Sequence, residues 1–352
     1  MPVGIPPLLV DLLTAVGPSG REGPAAAVWR EAAAGFAEVT SDTLGTSFAR
    51  VPAGDGAGTL ALVGHIDEIG VSITHIGDDG LLAFSVLGGF DPEQMLGQRV
   101  LIEGLDGVVT GVVARPRQSR EDRGERPALK VSDLYIDVGA TSREDAERLV
   151  RPGDVAVWEG KPIELANDRI VSRALDNRLG AYAVIEAARR VALERDTQLD
   201  VVAVAAVQEE LGLYGARTAA FALEPDVAIA VDVTWSTNMP GGNPKRVGKV
   251  ELSGGAAITV GPVVNPGVSD LLLEVAEAQD IAHSVEVYSD RTWTDADAIH
   301  VSRAGVPTGV VSIPVRYMHS PVELCSLADL EAVIALVTAF ARRLTRETTF
   351  VR

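Results

Sequence analysis

Between residues 166 and 352, short segments that are apolar almost throughout alternate with amphipathic helical patterns. A strand of this composition is buried on both faces, so helices must cover both sides of the sheet that contains it. The sequence therefore predicts an α/β domain in which a mixed sheet is flanked by helices. The predicted strands are residues 201–207, 227–231, 256–260, 284–288 and 308–313, and the main helical patterns are residues 177–195, 269–279, 295–304 and 326–344.

The middle of the chain, residues 70–165, has a different pattern. Its short runs alternate between apolar and polar residues and are separated by glycine, aspartate and proline, as is typical of a small β domain. We therefore expect residues 1–69 and 166–352 to close into one α/β domain, with residues 70–165 inserted as a β-rich domain. Within the insert, Ser142 is the expected N-cap of a short helix, and the charged residues 114–128 are an expected exposed loop.

The charge and the cysteine content restrict the partners and the compartment. The formal net charge is −18 and the pI is about 4.7, so the protein repels phosphate backbones and anionic lipids, and neither nucleic acid nor membrane is an expected partner. The single cysteine, Cys325, excludes an internal disulfide and is expected to be a small core residue. The amino terminus lacks a basic region, and the longest apolar run is too short to span a bilayer, so the expected location is cytoplasmic.

Polar side chains follow the predicted strands, at the edge where ligands bind in an open α/β sheet. Each cluster has an ordinary alternative when taken alone: a structural histidine after a strand, a helix N-cap, or a solvated turn. For the two adjacent glutamates the solvated turn is the weaker alternative, because they end the most apolar strand of the chain. The clusters are His65 with Asp67, Asp176 with Asn177, Glu209 with Glu210, Asp232, and His319.

Two histidines and three or four carboxylates beyond separate strand ends can meet in a single cleft. This set of nitrogen and oxygen ligands is typical of a two-metal hydrolase, in which a carboxylate bridges ions roughly 3.5–4 Å apart. The other histidines, His75, His283 and His300, lack this placement and are expected to be surface or packing residues.

The chain carries six ordered motifs: GHIDEIG, ALDNRLG, QEELGLYGA, VDVT, TDADAIH and PVRYMHSPVE. Their order and spacing resemble the tetrahedral aminopeptidase family of metallopeptidases, whose members are often labelled glutamyl aminopeptidases and in some cases endoglucanases. The resemblance covers nearly the whole chain. It implies a zinc-peptidase-like catalytic domain, an inserted PDZ-like domain, peptide substrates, and dimers formed through the insert that assemble into a hollow tetrahedral dodecamer.

The resemblance further implies that each subunit binds two divalent metal ions. Zn or Co is the expected metal, and Mn is also compatible with the ligand set. Asp176 would bridge the two ions. His65 and Asp232 would complete one metal site, and Glu210 and His319 would complete the other.

Two more residues have roles that the resemblance implies. Glu209 would be the general base that activates a metal-bridging water, which then hydrolyses the N-terminal peptide bond. Asp67 would orient His65. Three ligand carboxylates against two divalent ions leave a formal surplus of one positive charge, which lowers the pKa of that water.

The substrate pocket departs from the family pattern. The family usually has Gly-Gly-Thr-Asp-Ala where this chain has the sequence TWTDA at residues 292–296, and Asp297 stands where glycine is common. Trp293 therefore adds bulk beside the pocket, whose expected residues are Arg291, Trp293, Thr294 and Asp295. We hypothesise that Arg291 favours an acidic first residue. The charged loop of the insert also lacks the Pro-Pro-His element of the family, which leaves the contacts of the assembly open.

Three alternative functions remain open at this point. A related metal-dependent carboxypeptidase or deacylase would share the α/β core but carry an α/β lid domain in place of the β-rich insert. A glycosidase would need two carboxylates beside an aromatic groove, whereas aromatic residues make up only 5% of this chain and the histidines would have no function. A non-catalytic scaffold would need neither Glu209 nor a full set of metal ligands.

Overall fold

The computed structural model describes residues 4–54, 56–116 and 128–351, and most of the loop expected at residues 114–128 lies outside these ranges. The described helices are α1 (Pro7–Thr14), α2 (Gly23–Ala33), α3 (Pro92–Met95), α4 (Arg143–Ala146), α5 (Leu175–Glu194), α6 (Tyr214–Leu223), α7 (Pro244–Val247), α8 (Pro266–Ala278), α9 (Ala296–Ile299) and α10 (Leu327–Arg343). The described strands are β1 (Glu38–Ser41), β2 (Ser47–Val51), β3 (Thr59–His65), β4 (Gly70–Ile76), β5 (Leu82–Leu87), β6 (Arg99–Gly104), β7 (Gly107–Ala114), β8 (Tyr135–Asp137), β9 (Val155–Trp158), β10 (Ile163–Leu165), β11 (Arg169–Ser172), β12 (Asp200–Ala206), β13 (Val227–Trp235), β14 (Ala256–Val260), β15 (His283–Val287), β16 (Thr308–Arg316) and β17 (Glu323–Ser326).

The larger part of the described chain is built on an 11-stranded mixed sheet. Its strand order is β1-β2-β12-β3-β13-β16-β17-β11-β10, with β14 beside β16 and β15 beside β14. The central strands β12, β3, β13 and β16 are parallel, and antiparallel strands flank them on both sides. The predicted mixed α/β fold is confirmed. Because the centre is parallel, the carboxyl ends of these four strands meet at one edge.

Helices cover both faces of this sheet. One face packs against α1, α2, α5, α8 and α10 in a large apolar core, and the other packs against α6 and α9. The approach of α5 to β3 depends on Gly64, since a Cβ there would lie only 2.6 Å from the carbonyl carbon of Gly180. The buried indole of Trp29 donates to the carbonyl of Ala181 at 2.9 Å and fixes α2 against α5. The first turn of α5 is thereby held beside the end of β3.

Two helical segments differ from the expectations drawn from the sequence. The helix predicted at residues 295–304 is only α9, because Arg303 adopts a left-handed φ of 51° and the chain turns back at Gly305, whose N–H donates to the carbonyl of Ser302. Helix α6 was not predicted. Its buried face consists of glycine and alanine, so the helical pattern of apolar residues in the sequence is weak.

The strands β4, β5, β8, β7, β6 and β9 close into a barrel with its own apolar interior. The buried side chains that fill it include Val71, Ile73, Val100, Ile102, Ile136 and Trp158. Closure pairs the strand edges within the barrel. Ser142 is the N-cap of α4, as predicted, since its Oγ accepts the N–H of Asp145 at 3.3 Å. Strand β10, which the sequence analysis assigned to the insert, pairs with β11 in the large sheet.

Cys325 on β17 is fully buried in the large apolar core, as predicted for a small core residue. Burial raises the pKa of its thiol, which disfavours the nucleophilic thiolate. No helix in the described ranges combines the length and the apolar character that a membrane crossing requires.

Candidate metal centre

The carboxyl ends of β12, β3, β13 and β16 carry a cluster of polar side chains at one edge of the large sheet. The turns after these strands and the first turn of α5 bring the side chains together beneath a cavity of about 700 Å³. They are His65 (β3), Glu209 and Glu210 (after β12), Asp232 (β13), His319 (after β16) and Asp176 (α5). The structure therefore brings together the ligand candidates that the sequence suggested.

One group of possible metal ligands consists of His65, Asp176 and Asp232. Their donor atoms lie within 4.8 Å of one another, and all three side chains are buried. His65 Nε2 is 3.1 Å from Asp176 Oδ1 and 3.7 Å from Asp232 Oδ1. One imidazole and two carboxylates suit Zn, Co or Mn.

A second group consists of Asp176, Glu210 and His319. His319 Nε2 is 3.2 Å from Asp176 Oδ2 and 3.3 Å from Glu210 Oε1. Asp176 belongs to both groups, with Oδ1 toward one histidine and Oδ2 toward the other. A carboxylate in this position can bridge two ions.

The carboxylates of the two groups are crowded and buried, which disfavours several negative charges at once. Burial raises the pKa of Asp232 and that of Glu209 well above their usual values, and the charge of His65 only partly opposes this. For His319, burial lowers the pKa, but hydrogen bonds to two carboxylates outweigh it and raise the pKa to about 11. Cations among these groups would neutralise the carboxylates, so the donor set and its charge fit divalent metals.

Glu209 lines the same cavity but belongs to neither ligand group. Its Oε2 lies 3.9 Å from His65 Nε2. The adjacent Glu210 points toward His319, so the two glutamates diverge. This geometry leaves the carboxylate of Glu209 available for proton transfer rather than for ligation.

Asp67 is fully buried beside His65 and holds three parts of the site. Its Oδ1 lies 3.3 Å from His65 Nδ1 and accepts the N–H of Glu209 at 3.1 Å. Its Oδ2 accepts the N–H of Glu210 at 3.2 Å and the hydroxyl of Ser19. Burial raises the pKa of Asp67, but its close contact with His65 and its hydrogen bonds to Ser19 and the backbone outweigh this and lower it. One carboxylate thus orients the imidazole and fixes the turn that carries both glutamates.

Two further buried carboxylates hold the backbone of the site, and the sequence analysis missed both. Glu22 Oε1 accepts the N–H of Gln208, which has a left-handed φ of 56°, at 3.1 Å. Glu323 accepts the N–H of Asp176 at 3.0 Å and that of His319 at 2.8 Å. The only sequence signal is an acidic residue among apolar or small neighbours, as in SPVELC. This pattern does not indicate which backbone N–H groups the carboxylate binds.

The N-cap alternative for Asp176 and Asn177 holds only for Asn177. Asn177 Oδ1 accepts the N–H of Gly180 at 2.9 Å, and its Nδ2 donates to the carbonyl of Val231 at 2.8 Å. The peptide bond between Asp176 and Asn177 is cis. The Asp176 side chain faces the histidines and makes no cap hydrogen bond with α5 in the described chain.

A buried ion cluster supports the site from behind. Glu68 pairs with Arg173 and, at 3.1 Å, with Arg178, and none of the three is more than 1% exposed. Arg178 also donates to the carbonyls of Leu12 and Gly17 at 2.5 and 3.3 Å. The cluster ties together the segments after α1 and β3 and the start of α5, and removing one partner would leave a buried charge unpaired.

The four residues expected at the substrate pocket divide into two pairs. Arg291 and Trp293 line the cavity over the ligand groups. Thr294 and Asp295 are 4% and 2% exposed and are not among its lining residues. Both carboxylate oxygens of Asp295 are buried without a hydrogen-bond partner among the described residues, and burial raises its pKa to about 7.

Several known proteins that this chain resembles in sequence and fold carry the name aminopeptidase. The chain is 37% identical to the lysyl aminopeptidase of Pyrococcus furiosus over 312 residues. The aligned segment covers 87% of each protein. Its fold matches the TET aminopeptidase of the marine sediment archaeon Thaumarchaeota archaeon SCGC AB-539-E09 with a TM-score of 0.90 and 33% identity, over 96% of both chains. It matches the TET1 peptidase of Pyrococcus horikoshii, which can assemble into a tetrahedron or a large octahedral shell, with a TM-score of 0.86 and 29% identity, over 96% of this chain and 99% of that one.

The family model described as M42 glutamyl aminopeptidase matches residues 45–336, which includes the ligand candidates of both groups. The extent of this match, together with the similar proteins, shows that this protein is a hydrolase. The chain therefore belongs to the M42 glutamyl aminopeptidase family and acts as an aminopeptidase.

Proposed function

We propose that the protein releases single residues from the amino end of peptides by means of two divalent ions and Glu209 as general base. The observation that carries this proposal is the position of Asp176, whose two carboxylate oxygens face two different histidines. A bridging carboxylate beside a glutamate that is free of ligation is suited to metal-assisted hydrolysis of a peptide bond.

In this proposal His65, Asp176 and Asp232 would hold one ion, and Asp176, Glu210 and His319 would hold the other. Zn, Co and Mn are all compatible with these nitrogen and oxygen ligands, with Zn and Co as the first candidates. When bound, the ions would polarise the scissile carbonyl and lower the pKa of a nearby water.

Glu209 takes the proton of the attacking water and returns it to the leaving amine. Its place in the cavity, 3.9 Å from His65 Nε2, supports this role because the carboxylate is close to the ligands without being one of them. Asp67 holds the backbone N–H of Glu209, so it positions the base as well as the imidazole of His65. Such positioning is part of what a general base contributes to the rate.

The alternatives from the sequence have less support. A lid of the α/β type is expected for the related carboxypeptidases and deacylases, whereas the insert here is a closed barrel. A glycosidase has no use for His65 and His319, which approach the same aspartate.

We also propose that residues 1–69 and 166–352, together with β10, form the catalytic domain and that the rest of residues 70–165 forms a PDZ-like domain for self-association. Dimers made through this domain would build a larger assembly, such as a tetrahedral dodecamer. The assembly of the TET1 peptidase supports this proposal. Two valines of β7 on the barrel surface, Val108 and Val112, are 62% and 44% exposed and offer an apolar contact to a second copy.

The test is to follow the products of a short peptide by mass spectrometry after the chelated protein is reloaded with Zn, Co or Mn. We expect a ladder of products, each shortened by one residue at the amino end. The same peptide with an acetylated amino end should remain intact. A ladder from the carboxyl end, or cleavage of the acetylated peptide, would contradict the proposal.

A further inference from the structure

Trp293 has a backbone conformation that is unusual for a residue with a large side chain. Its φ of 58° lies in the left-handed region, which disfavours any residue with a Cβ. Asp297 stabilises this conformation: its Oδ2 accepts the N–H of Trp293 at 3.1 Å. Its Oδ1 accepts the N–H and the hydroxyl of Thr292 at 3.0 and 2.7 Å. The three departures from the family pattern, Thr292, Trp293 and Asp297 in place of glycines, therefore form one structural unit.

The indole of Trp293 stands between two cavities. It lines the cavity over the ligand groups, and it also lines an adjoining cavity of about 520 Å³. Val233, Trp235 and Met318 likewise line both cavities. Trp293 is 69% exposed and Trp235 is 47% exposed, so two accessible indoles lie where the two cavities share lining residues. Non-glycine residues held in the left-handed region are often found at ligand-binding positions.

The adjoining cavity has little charge in its lining. Its described lining residues are apolar or uncharged except for Arg246, which is exposed. No carboxylate is among the described lining residues, so a cationic side chain would have no counter-charge there. The volume is within the usual range of about 300–1,000 Å³ for ligand pockets, and it is sufficient for a large side chain.

We infer that Trp293 is a specificity-determining residue, and that the adjoining cavity receives the first side chain of the peptide, which is large and apolar or aromatic. This inference rests on the proposed function, because it assumes that the scissile bond lies over the ligand groups. Trp293 and Trp235 contact the first side chain, and Asp297 is a positioning residue that holds Trp293. The guanidinium of Arg291 lies 5.4 Å from the centroid of the Trp293 ring, so Arg291 packs on the indole.

The test is the ratio of kcat/KM for aminoacyl-anilides of Phe or Leu to kcat/KM for the anilide of Ala, measured on the metal-loaded full chain. The wild-type ratio should be on the order of 10 or more. Trp293→Gly, which suits the left-handed φ, should lower the ratio about 10-fold, mainly through KM, because the lost contact lies away from the reacting bond. Trp293→Phe should retain most of the ratio. Asp297→Asn should lower the ratio in the same direction as Trp293→Gly.

Phe221 provides a matched control. It is an aromatic residue 59% exposed with the guanidinium of Arg303 3.9 Å from its ring centroid, but it lines neither cavity. Phe221→Ala should keep the wild-type ratio. Thermal unfolding curves of each variant exclude misfolding as the cause of a change.

An unchanged or increased ratio in Trp293→Gly would overturn the inference. A wild-type preference for Lys over Phe and Leu would also overturn it. A preference for Glu that Arg291→Ala abolishes would assign the selection to Arg291 instead. Metal-dependent activity with no preference among the substrates contradicts this inference alone, whereas no metal-dependent activity on any substrate contradicts the proposed function.

Discussion

Asp67 fixes two parts of the site relative to each other: the imidazole of His65 and the turn that carries both glutamates. Its carboxylate accepts two backbone N–H groups and the hydroxyl of Ser19, and its Oδ1 lies 3.3 Å from His65 Nδ1. In Asp67→Asn, the amide nitrogen would face a backbone donor, and the imidazole would lose its anionic partner. We expect metal affinity to fall roughly 10–100-fold, as is usual when a partner of a metal-ligating histidine is lost. Calorimetric titration of the chelated protein with Zn measures this effect.

Ser19→Ala is the control for that experiment. It removes one donor to Asp67 but leaves the carboxylate, the two N–H bonds and His65 in place. The loss of metal affinity should therefore be clearly smaller than in Asp67→Asn. Equal affinities of Asp67→Asn and the wild type for Zn would mean that Asp67 does not support the ligand.

Glu22 allows a prediction about stability and pH. Burial, and then the charge of Asp67, raises the pKa of Glu22 from 4.5 to about 7. Because the folded state binds the proton more tightly than the unfolded state, the contribution of Glu22 to the free energy of unfolding decreases as pH rises from about 4.5 to about 7. Glu22→Gln keeps an acceptor for the N–H groups of Gly20 and Gln208 and removes the titration. We expect Glu22→Gln to gain stability relative to the wild type over this pH range, on the order of 3 kcal/mol at its upper end.

Urea unfolding at a series of pH values measures this difference. Glu22→Ala is the comparison, since it loses both backbone hydrogen bonds and should be less stable than Glu22→Gln by about 1–3 kcal/mol. A difference between wild type and Glu22→Gln that does not change with pH would show that Glu22 is not held protonated by the fold.

The site could be predicted from the sequence only in part. The ligand candidates follow strands such as residues 201–207 that are apolar throughout, and an acidic residue in that setting is conspicuous. Glu22, Glu323 and Ser19 act by binding backbone N–H groups or another carboxylate, and each has a partner from a distant segment. Sequence patterns carry no information about such contacts, so the residues that support the ligands emerged only from the structure.

At the scale of secondary-structure elements, a strand or helix could be predicted when its apolar residues form a clear pattern in the sequence. The parallel strands β12, β13 and β16 are buried on both faces, and their continuous apolar runs gave a clear signal. The strands β1 and β10, at the two ends of the main strand order, are short and largely exposed, so they resemble loops in the sequence. Each pairs with the next strand along the chain, β1 with β2 and β10 with β11, so its place in the sheet depends on that pairing rather than on its own composition.

The packing of α5 on β3 gives a prediction at the same scale. A Cβ on Gly64 would lie 2.6 Å from the carbonyl carbon of Gly180 and 2.8 Å from the N of Ala181, and both are backbone atoms that cannot move alone. Gly64→Ala should therefore lower the free energy of unfolding by about 1–3 kcal/mol, the usual cost of an overpacked core. Because α5 carries Asp176 and β3 carries His65, metal affinity should fall as well.

Gly35→Ala is the matched control, since a Cβ there would meet no atom within 4 Å. Both variants are compared with the wild type by urea unfolding. If Gly64→Ala were as stable as Gly35→Ala, the close approach of α5 to β3 would not be required for stability.

At the scale of the whole molecule, the inserted barrel lies beside the candidate metal centre. Gly89, in the segment after β5, lines the cavity over the ligand groups. A Cβ on the neighbouring Gly88 would lie 3.0 Å from Glu210 Oε2. A domain that brings subunits together would therefore also border the cleft, and assembly would limit which peptides can reach it.

A change on the barrel surface tests the proposed assembly. Val108 on β7 is 62% exposed, and Val108→Glu would place a charge in an apolar contact between copies. We expect a lower molar mass than that of the wild type in size-exclusion chromatography with light scattering. Val351→Glu is the control, because Val351 is 89% exposed and lies outside the barrel. An unchanged mass in Val108→Glu, equal to that of Val351→Glu, would remove this face of β7 from the interface.

The most direct measurement is to titrate the chelated protein with Zn, Co or Mn and to follow bound metal and release of the N-terminal residue together, in the wild type and in Glu209→Gln. Because Asp176 faces His65 and His319 through different oxygens, we expect two equivalents of metal to bind in both proteins. Wild-type activity should rise to a maximum at the second equivalent. Glu209→Gln should bind the same metal with kcat lower by about 10²–10⁴-fold, the usual contribution of a general base. Full activity without metal, saturation at one equivalent, or undiminished kcat in Glu209→Gln would contradict the two-metal mechanism with Glu209 as its base.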